Sequence, residues 1–374
     1  MKNRFEYDWL IVGAGITGCV FARLMTDAGY KCIVVEKEDN IGGMCYCEDM
    51  HGIAVHKYGA HIFHTESQEI WDFFCKYAGE VKKLGAYSVQ AMAKGHIYPL
   101  PFNMNTFSKI WPDVRTPKEA MNKINSQSDK VKMAYNLEDE AIQLVGKEVY
   151  ELLIKGYTEK QWGAKCSELP KEIIMRLPVR FTYDNNYYYC DKIGVPSHGY
   201  NMFFQNILEG IEVRKFVDFN VYNGLKYKLM AEKVFLTCPI DEYFNYCFGR
   251  LDYRSLDFNI DVLNKDETQG CAVVNYCDIE IPYTRRIEHN FFSDKEDAEK
   301  IIVSYEYPQK FEYLSKPYYP INNDENNKKY EEYIKLVKQN YGNRYIFGGR
   351  LGGYKYLSMA GAIKEAYRLF DMNK

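Results

Sequence analysis

Apolar residues in the N-terminal part of the chain fall into short runs on either side of one helix-like stretch. The run Trp9–Val12 leads into a glycine-rich turn, an apolar stretch of helical length follows, and the β-branched run Ile33–Val35 comes next. Short apolar strands flanking a helix are typical of a βαβ unit, whose two strands are parallel. The pattern therefore predicts an α/β fold for this part of the chain.

Later segments follow other periods. Residues 116–157 carry apolar positions at helical intervals, and Thr116 with Pro117 suits an N-cap and first helical residue. From about residue 211 to about residue 319, β-branched and aromatic residues alternate, which predicts an antiparallel sheet. A strand at Arg344–Phe347, a glycine pair and a helix from about Ser358 complete the pattern. We expect a helical subdomain inserted into a dinucleotide-binding fold, and a separate antiparallel sheet.

The glycine-rich turn has the spacing G-x-G-x-x-G, with Gly13, Gly15 and Gly18. The first glycine permits a tight turn, the second lets a pyrophosphate approach the backbone, and the third lets helix and strand pack closely. The N-terminus of the helix then faces the phosphates. Glu36 directly follows the second strand, about 20 residues after the glycines, where an acidic residue is expected to bind ribose hydroxyls. The motif predicts a dinucleotide site.

Composition excludes several other classes of ligand. The formal net charge of -3 on 374 residues gives no general basic field that would attract nucleic acid or an anionic membrane surface. No segment approaches the roughly 18 apolar residues that a membrane span needs. The eleven cysteines are scattered without C-x-x-C spacing, so neither a zinc site nor a disulfide framework is predicted. We expect no metal, no nucleic acid partner and no membrane insertion.

A second glycine turn, Gly42–Gly43, and a histidine-rich segment at residues 56–64 favour FAD over NAD as the dinucleotide. The glycines let backbone lie against a cofactor, and His61 follows Gly59 where a backbone without bulk can bring the imidazole to a flavin ring. Near the other end of the chain, Gly348–Arg350 form another strand-to-helix junction that offers backbone amides to an anion. FAD is the predicted cofactor.

Six sequence blocks together resemble the bacterial UDP-galactopyranose mutase family over essentially the whole chain. They are HKYGAHIFHT (56–65), LPFNMNTF (100–107), KGYTEKQWG (155–163), RLPVRFTYDNNYY (176–188), PYTR with EH (282–289) and IFGGRL with YKY (346–356). The blocks occur in the family order and with closely matching spacing, which no single glycine motif would provide.

The resemblance implies a flavin-dependent isomerase that interconverts UDP-galactopyranose and UDP-galactofuranose for cell-surface polysaccharide. In this family N5 of reduced FAD attacks the anomeric carbon and displaces UDP, with no net redox change. The resemblance further implies a cytoplasmic homodimer that binds a UDP-sugar and depends on an unidentified flavin reductant.

The resemblance also implies a fold and its domains. The expected fold class is α/β, a Rossmann-like FAD-binding domain with an inserted helical domain and an antiparallel β-sheet domain. The FAD-binding domain is expected at residues 1–78, 190–245 and 335–374, the mainly helical domain at 79–189 with a mobile substrate lid near 157–165, and the sheet domain at 246–334.

Site residues are carried over from the family by motif. Arg176 and Arg285 match arginines that hold the diphosphate, and His61 matches the histidine beside the flavin; these three are the expected catalytic residues. The expected substrate-binding residues are Tyr157, Thr158, Trp162, Tyr187, Asn275, Tyr319 and Tyr356, with Tyr157 and Trp162 at the uridine-stacking and lid positions. The expected cofactor contacts are Gly13, Gly15, Ile16, Thr17, Gly18, Glu36, Lys37, Gly42, Gly43, His61, Gly349, Arg350, Tyr356 and Met359.

Three departures from the family pattern keep the identity of the sugar open. Tyr87 and Val89 replace residues of an Asn-Ser-Pro strand, and Ser358 replaces an acid. The same mechanism on UDP-N-acetylgalactopyranose or dTDP-fucopyranose is therefore an alternative. A flavin amine oxidase or dehydrogenase shares the glycine motif, and a nucleotide-sugar binder that has lost activity is a third alternative.

Overall fold

A five-stranded parallel sheet forms the centre of the dinucleotide-binding part. The computed structural model describes residues 5–85, 88–128, 131, 133–175, 177–220, 226–295, 298–312 and 315–374. The strands are β1 (Tyr7–Val12), β2 (Cys32–Val35), β3 (Cys47–Met50), β4 (Ile53–His56), β5 (Phe63–His64), β6 (Val81–Lys82), β7 (Val89–Ala93), β8 (His96–Pro99), β9 (Ile193–Pro196), β10 (Glu212–Arg214), β11 (Ala231–Leu236), β12 (Tyr253–Asn264), β13 (Val273–Tyr276), β14 (Arg285–Glu288), β15 (Lys300–Lys310), β16 (Tyr319–Pro320) and β17 (Tyr345–Phe347). The order in the parallel sheet is β10-β2-β1-β11-β17.

Helices cover both faces of this sheet and form a separate layer in the middle of the chain. The α-helices are α1 (Ile16–Asp27), α2 (Gln68–Ala78), α3 (Met104–Ile110), α4 (Pro117–Ser128), α5 (Leu137–Val145), α6 (Lys147–Val149), α7 (Lys155–Trp162), α8 (Tyr200–Ile207), α9 (Ile240–Tyr243), α10 (Asp324–Tyr341), α11 (Gly349–Gly352) and α12 (Met359–Asp371). None of the helices in the described ranges is both long and apolar enough to cross a membrane.

Strand β1 is apolar from Trp9 to Val12 because both of its faces are covered there. Trp9 and Ile11 belong to the core shared with α1, α8 and α12, whereas Leu10 and Val12 belong to the core shared with Tyr333 of α10. A parallel sheet covered on both faces needs such a continuous apolar run. The βαβ prediction is confirmed, since β1 pairs in parallel with β2 from Trp9 opposite Cys32 onwards.

The second sheet has seven strands in the order β16-β12-β15-β14-β13-β7-β8. All its neighbours are antiparallel except β13 and β7, which run in parallel. Together with the parallel sheet, this antiparallel sheet confirms the predicted fold class. Strands β7 and β8 lie within residues 79–189, the range predicted as mainly helical, and α10 lies across the predicted boundary at 334; the domain division itself stays a prediction.

The helical segment packs on one face of this second sheet. Leu137 and Val145 of α5 and Leu153 share a core with Ala91 of β7 and Val273 of β13. A π-helical turn, Tyr150–Ile154, joins α6 to α7. Such a turn shifts the register of the helix and is frequent near functional sites, so it decides which side chains α7 directs to the sheet.

Buried histidines connect β4, which pairs with β3 in a small separate sheet, to the second sheet. The His56 backbone N–H donates to Nδ1 of His289 at 3.2 Å, and Nε2 of His289 lies 2.9 Å from the Ser304 hydroxyl. Because Nδ1 accepts, the proton of a neutral His289 lies on Nε2. Nδ1 of His56 in turn accepts from the backbone N–H of His61 at 3.1 Å. Burial lowers the pKa of His289 to about 3, and burial followed by the neighbouring histidines lowers the pKa of His56 as well.

These lowered pKa values predict a loss of stability in mild acid. Below pH 6.5 the unfolded chain binds protons at His56 and His289, whereas in the folded chain both imidazoles stay neutral. The free energy of unfolding therefore falls as pH falls towards the folded pKa of His289, about 3. Each histidine contributes a slope of about 1.4 kcal/mol per pH unit within this window. The free energy of unfolding, measured by denaturant titration at several pH values between 4 and 6.5, should therefore change less steeply with pH in His289→Gln than in the parent. His96→Gln, a change at an exposed position, is the matched control; equal slopes for both variants and the parent would contradict the prediction.

Candidate functional site

Four strands of the parallel sheet end at one edge, and a candidate cofactor residue follows each of them. Gly13 follows β1, Glu36 follows β2, Thr237 follows β11 and Gly348–Gly349 follow β17. In open α/β sheets, ligands bind outside the carboxyl ends of the parallel strands. The topology therefore collects residues that lie more than 300 positions apart in the sequence.

The N-terminus of α1 is left free for an anion. Gly15 is its N-cap with extended backbone, no side chain caps the helix, and the first turn carries no acidic residue. The backbone N–H groups of this turn thus lack a capping side chain and point to the edge of the sheet, as phosphate-binding helices require.

Glycine is required at two positions of this turn for steric reasons. A Cβ on Gly18 would lie 2.1 Å from the carbonyl oxygen of Gly13. Gly13 has φ +102°, and a Cβ there would lie 2.2 Å from Oγ1 of Thr237. Helix α1 and the turn therefore pack without room for a side chain, as predicted from the spacing.

A second glycine turn lies against the first. The Gly42 N–H donates to the Ala14 carbonyl at 2.8 Å, and a Cβ on Gly43 would lie 3.1 Å from Cα of Gly15. Both Gly42 and Gly43 have positive φ. The two turns together form a groove lined by backbone rather than by side chains.

Glu36 holds the groove at its β2 side. Its carboxylate accepts from the Ala14 N–H at 2.7 Å and from the Glu38 N–H at 3.0 Å, and the residue is 9% exposed. This carboxylate is oriented by the backbone before any ligand arrives, which suits an acceptor for ribose hydroxyls.

One pocket contains nearly all the expected cofactor residues. Its lining includes Gly13, Gly15, Ile16, Thr17, Gly18, Glu36, Lys37, Gly42, Gly43, His61, Gly349, Arg350 and Met359. Tyr356 is absent from the lining; it is 49% exposed and lies with its ring 5.9 Å from that of Tyr319. The described residues contain no group of three or more His, Cys, Asp or Glu arranged for a metal ion.

His61 enters this pocket with an open ring nitrogen. Its Nδ1 is buried and has no hydrogen-bond partner among the described residues. Burial, followed by the charge of Arg350, lowers the pKa of His61 to about 4, so the imidazole is neutral at physiological pH. A buried polar atom without a partner is rare, which makes this nitrogen a candidate contact for a ligand.

Arg350 joins the pocket to a group of tyrosines. Its guanidinium donates to the carbonyls of Tyr318 at 3.2 Å and Leu357 at 2.7 Å, and it lies over the rings of Tyr319 and Tyr356 at 5.6 and 5.2 Å. This arginine therefore orients the aromatic residues at the boundary between cofactor pocket and second sheet.

Arg285 lies on the inner face of the second sheet, paired with a carboxylate. Its Nη1 is 3.4 Å from Oε2 of Glu306, which is 1% exposed, and Oε1 of Glu306 accepts from the Thr284 hydroxyl at 3.0 Å. The side chain of Arg285 keeps 32% exposure. The guanidinium is thus fixed on one side and open to a ligand on the other.

Three tyrosines predicted to bind substrate surround Arg285. The guanidinium carbon lies 5.8 Å from the ring centre of Tyr157, and Arg285 acts electrostatically on Tyr157, Tyr187 and Tyr319. Burial raises the pKa of all three, to about 12 for Tyr319. Their hydroxyl groups therefore keep their protons and act as hydrogen-bond donors.

The other predicted substrate residues have varied positions. Thr158 is buried on α7, and Asn275 pairs with Arg285 across β13 and β14 with a buried Oδ1 that has no partner among the described residues. Trp162 is five positions after Tyr157, roughly 140° further round the helix, so the two rings face different directions. Arg176 lies outside the described residues.

Of the three departures from the family pattern, one lies at the pocket. Ser358 lines it and caps α12 by accepting from the Gly361 N–H at 3.1 Å. Val89 is buried in β7 beside Val273, and Tyr87 lies outside the described residues.

Sequence reasoning missed Glu306 and Thr237. Glu306 is opposite Arg285 in the β14–β15 register, and Thr237 donates to the Val12 carbonyl at 2.8 Å. An acidic residue in a predicted strand is the one signal that could have suggested Glu306, since buried carboxylates need a partner. Thr237 could have been found from its place at the end of a predicted strand.

Known proteins resemble this chain in both sequence and fold. A family model described as UDP-galactopyranose mutase matches residues 152–356, and one described as NAD(P)-binding Rossmann-like domain matches residues 11–77. The chain is similar to a probable UDP-galactopyranose mutase of Klebsiella pneumoniae, with 37% identity over 371 residues, 97% of this chain and 93% of that protein. It is similar to a dTDP-fucopyranose mutase of Escherichia coli, with 35% identity over 366 residues, 96% of each chain. A crystal structure of reduced UDP-galactopyranose mutase has the same fold, with TM-score 0.76 at 14% identity over 98% of this chain and 93% of that one.

The packing of the first glycine turn predicts the effect of adding one methyl group. Gly18→Ala places Cβ against the Gly13 carbonyl, and overpacking of about 1–3 kcal/mol should weaken dinucleotide binding about ten-fold or more. The measurement is the dinucleotide released by heat from gel-filtered protein, per mole of chain. Gly85→Ala, where a Cβ meets no described atom within 4 Å, is the control, and equal retention in both variants would refute the steric argument.

Proposed function

This chain belongs to the UDP-galactopyranose mutase family, and we propose that it interconverts UDP-galactopyranose and UDP-galactofuranose on a reduced FAD cofactor. The observation that carries the proposal is the position of Arg285 beside the turn that leads to His61. A Cβ on Gly59 would lie 3.6 Å from Oε2 of Glu306, the partner of Arg285. A cation suited to a diphosphate thus lies next to a dinucleotide pocket.

The residues of the pocket fit FAD. The two glycine turns leave a backbone groove for a pyrophosphate, Glu36 suits the ribose, and the open Nδ1 of His61 suits the polar edge of a flavin ring. When bound and reduced, FAD supplies a nucleophilic nitrogen, N5, for the anomeric carbon of the sugar. Because the imidazole of His61 is neutral, it is not an imidazolium acid that would protonate this nucleophile.

Arg285 and Arg176 would hold the diphosphate of the substrate. As the bond between sugar and phosphate breaks, negative charge grows on the departing UDP, and a guanidinium already fixed by Glu306 needs no reorganisation to stabilise it. The protonated hydroxyls of Tyr187 and Tyr319 would donate to phosphate or sugar oxygens. Tyr157 would stack on the base, with Thr158, Trp162, Asn275 and Tyr356 as further substrate contacts.

The family resemblance extends the proposal to the setting of the reaction. The product would provide furanose units for cell-surface polysaccharide, and the enzyme would act as a cytoplasmic homodimer whose flavin is reduced by a separate partner.

A second candidate substrate is dTDP-fucopyranose. The chain is 35% identical to a protein of that name and 37% identical to a probable UDP-galactopyranose mutase, with nearly the same coverage. Identity therefore favours neither sugar decisively, and Ser358 at the pocket replaces an acid of the family pattern.

A product assay decides between the sugars. We expect the dithionite-reduced enzyme to convert UDP-galactopyranose to a furanose isomer that chromatography separates, and the oxidised enzyme to be inactive. UDP-N-acetylgalactopyranose and dTDP-fucopyranose are assayed in parallel. Turnover of another sugar with none on UDP-galactopyranose would overturn the leading substrate, and steady oxygen consumption would indicate an oxidase.

Replacement of Arg285 tests the diphosphate contact. We expect Arg285→Ala to lower kcat by about 10²-fold or more, because the charge on departing UDP loses its fixed partner. Arg285→Lys keeps a cation for the buried Glu306 but loses the planar fork, so it should lose at least about ten-fold. The flavin spectrum should stay unchanged in both.

The control for this experiment is the neighbouring arginine on the same strand. Arg286 pairs with Tyr305 rather than Glu306 in the strand register and donates to the Glu267 carbonyl at 3.2 Å. Arg286→Ala should keep near-parental turnover. Near-parental turnover of Arg285→Ala would disprove the role assigned to Arg285, and the same comparison at Arg176 extends the test to the second arginine.

A further inference from the structure

The side chain of Lys160 on α7 ends in a ring of backbone carbonyls. Its Nζ donates to Tyr276 O at 2.8 Å, Asp278 O at 2.9 Å, Ile281 O at 2.9 Å and Tyr283 O at 3.0 Å. All four acceptors come from the β13–β14 loop, which begins at the end of β13 and leads into β14. One ammonium group therefore contacts the loop along most of its length.

This arrangement determines the shape of the loop. An ammonium has three N–H donors, so the four carbonyl oxygens share three protons. Carbonyl oxygens that converge on one point repel each other unless a cation lies between them. Lys160 thus provides the charge that makes the closed form of the loop favourable, and its binding energy is charge-assisted.

Helix α7 touches the same loop directly through its backbone. A Cβ on Gly156 would lie 2.1 Å from the Cys277 carbonyl oxygen and 3.4 Å from the Ile279 nitrogen. The Cys277 thiol also lies 3.2 Å from the Leu153 carbonyl, one turn before Gly156. Glycine at 156 allows the close approach, and Lys160, four residues later on the same helix face, continues it.

Helix α7 has further contacts with β12 and with the segment that follows the helix. Nε of Arg254 on β12 donates to the Gln161 carbonyl at 3.1 Å, and Glu159 Oε1 accepts from the Cys166 N–H at 3.2 Å. The helix is therefore attached at its C-terminal turn to a strand and at its middle to the loop.

The residues joined in this way are those around Arg285. Tyr157 is on α7, while Asn275 and Arg285 face each other where the loop leaves β13 and enters β14. The guanidinium carbon of Arg285 lies 5.8 Å from the ring centre of Tyr157. The spacing between the aromatic ring and the cation depends on how α7 sits on the loop.

We propose that Lys160 is a positioning residue that fixes Tyr157 and Arg285 as one preformed unit for a nucleoside diphosphate. The proposal rests on the proposed function, which assigns those two residues to base and diphosphate. It also differs from the predicted mobile lid near 157–165, because α7 then stays on the sheet whether or not nucleotide is bound.

The first test compares two lysine variants of the flavin-loaded enzyme. Lys160→Met removes the ammonium but keeps the length of the side chain, and Lys155→Met makes the same change at an exposed position of α7. We expect Lys160→Met to weaken binding of UDP, measured by calorimetry, about ten-fold or more and to raise KM more than it lowers kcat. Lys155→Met should stay within about two-fold of the parent. A folded, flavin-loaded Lys160→Met with parental UDP affinity would overturn the proposal.

A double substitution separates positioning from general stability. If Lys160 acts through Arg285, adding Lys160→Met to Arg285→Ala should cost much less UDP affinity than it does in the parent. Losses of UDP affinity that multiply independently would show that Lys160 does not act through Arg285, and would refute the proposal that it fixes Tyr157 and Arg285 as one unit.

Hydrogen exchange on the unmodified enzyme provides a test that needs no variant. We expect the amides of 155–162 and 276–284 to be equally protected with and without UDP, within about three-fold. A large gain of protection at 155–162 on adding UDP would favour the mobile lid and reject the preformed unit. Absence of mutase turnover would refute the proposed function alone, because the exchange pattern of the flavin-loaded protein is measured independently of turnover.

Discussion

The ion pair between Arg285 and Glu306 is the interaction on which the geometry of the candidate site depends. Glu306 is almost fully buried on β15, and the partners that the structure gives its carboxylate are Arg285 of β14 and Thr284, which immediately precedes that strand. Removal of one member of a buried pair leaves an uncompensated charge, at a cost of about 3–5 kcal/mol. The pair therefore constrains the register of two strands and the direction of the guanidinium at once.

The same carboxylate connects Arg285 with the turn that leads to the dinucleotide pocket. A Cβ on Gly59 would lie 3.6 Å from Oε2 of Glu306. Gly59 has φ +102°, a backbone conformation that residues with a side chain rarely adopt. The turn at Gly59 then delivers His61, whose backbone N–H is held by His56. The His56 backbone N–H itself donates to His289, in the turn that follows β14. Strand β4 and the turn that follows β14 thus determine together where the imidazole lies relative to the arginine.

Local signals in the sequence predicted the parts of this arrangement that depend on neighbouring residues. The glycine spacing at 13–18 and the N-cap at Thr116, whose hydroxyl accepts from the Glu119 N–H at 3.3 Å, follow from short-range geometry and are found in the structure. The role of Glu306 depends on a strand register, and the parallel pairing of β7 with β13 joins residues more than 180 positions apart. Neither leaves a periodic signal, so β7 was grouped with the helices that surround it in sequence.

The lining of the dinucleotide pocket can change at residue 358 without a change in the framework. Ser358 caps α12 through the Gly361 N–H, a role that an aspartate fills equally well, because both side chains offer an oxygen to the first helical turn. Replacing the acid of the family pattern by serine therefore keeps the cap and removes one negative charge from the lining of the cofactor pocket. The fixed cation at Arg285 and its tyrosines are untouched by that exchange. A framework that fixes Arg285 through Glu306, and lines the dinucleotide pocket with other residues, allows the pocket lining to change while the cation stays in place.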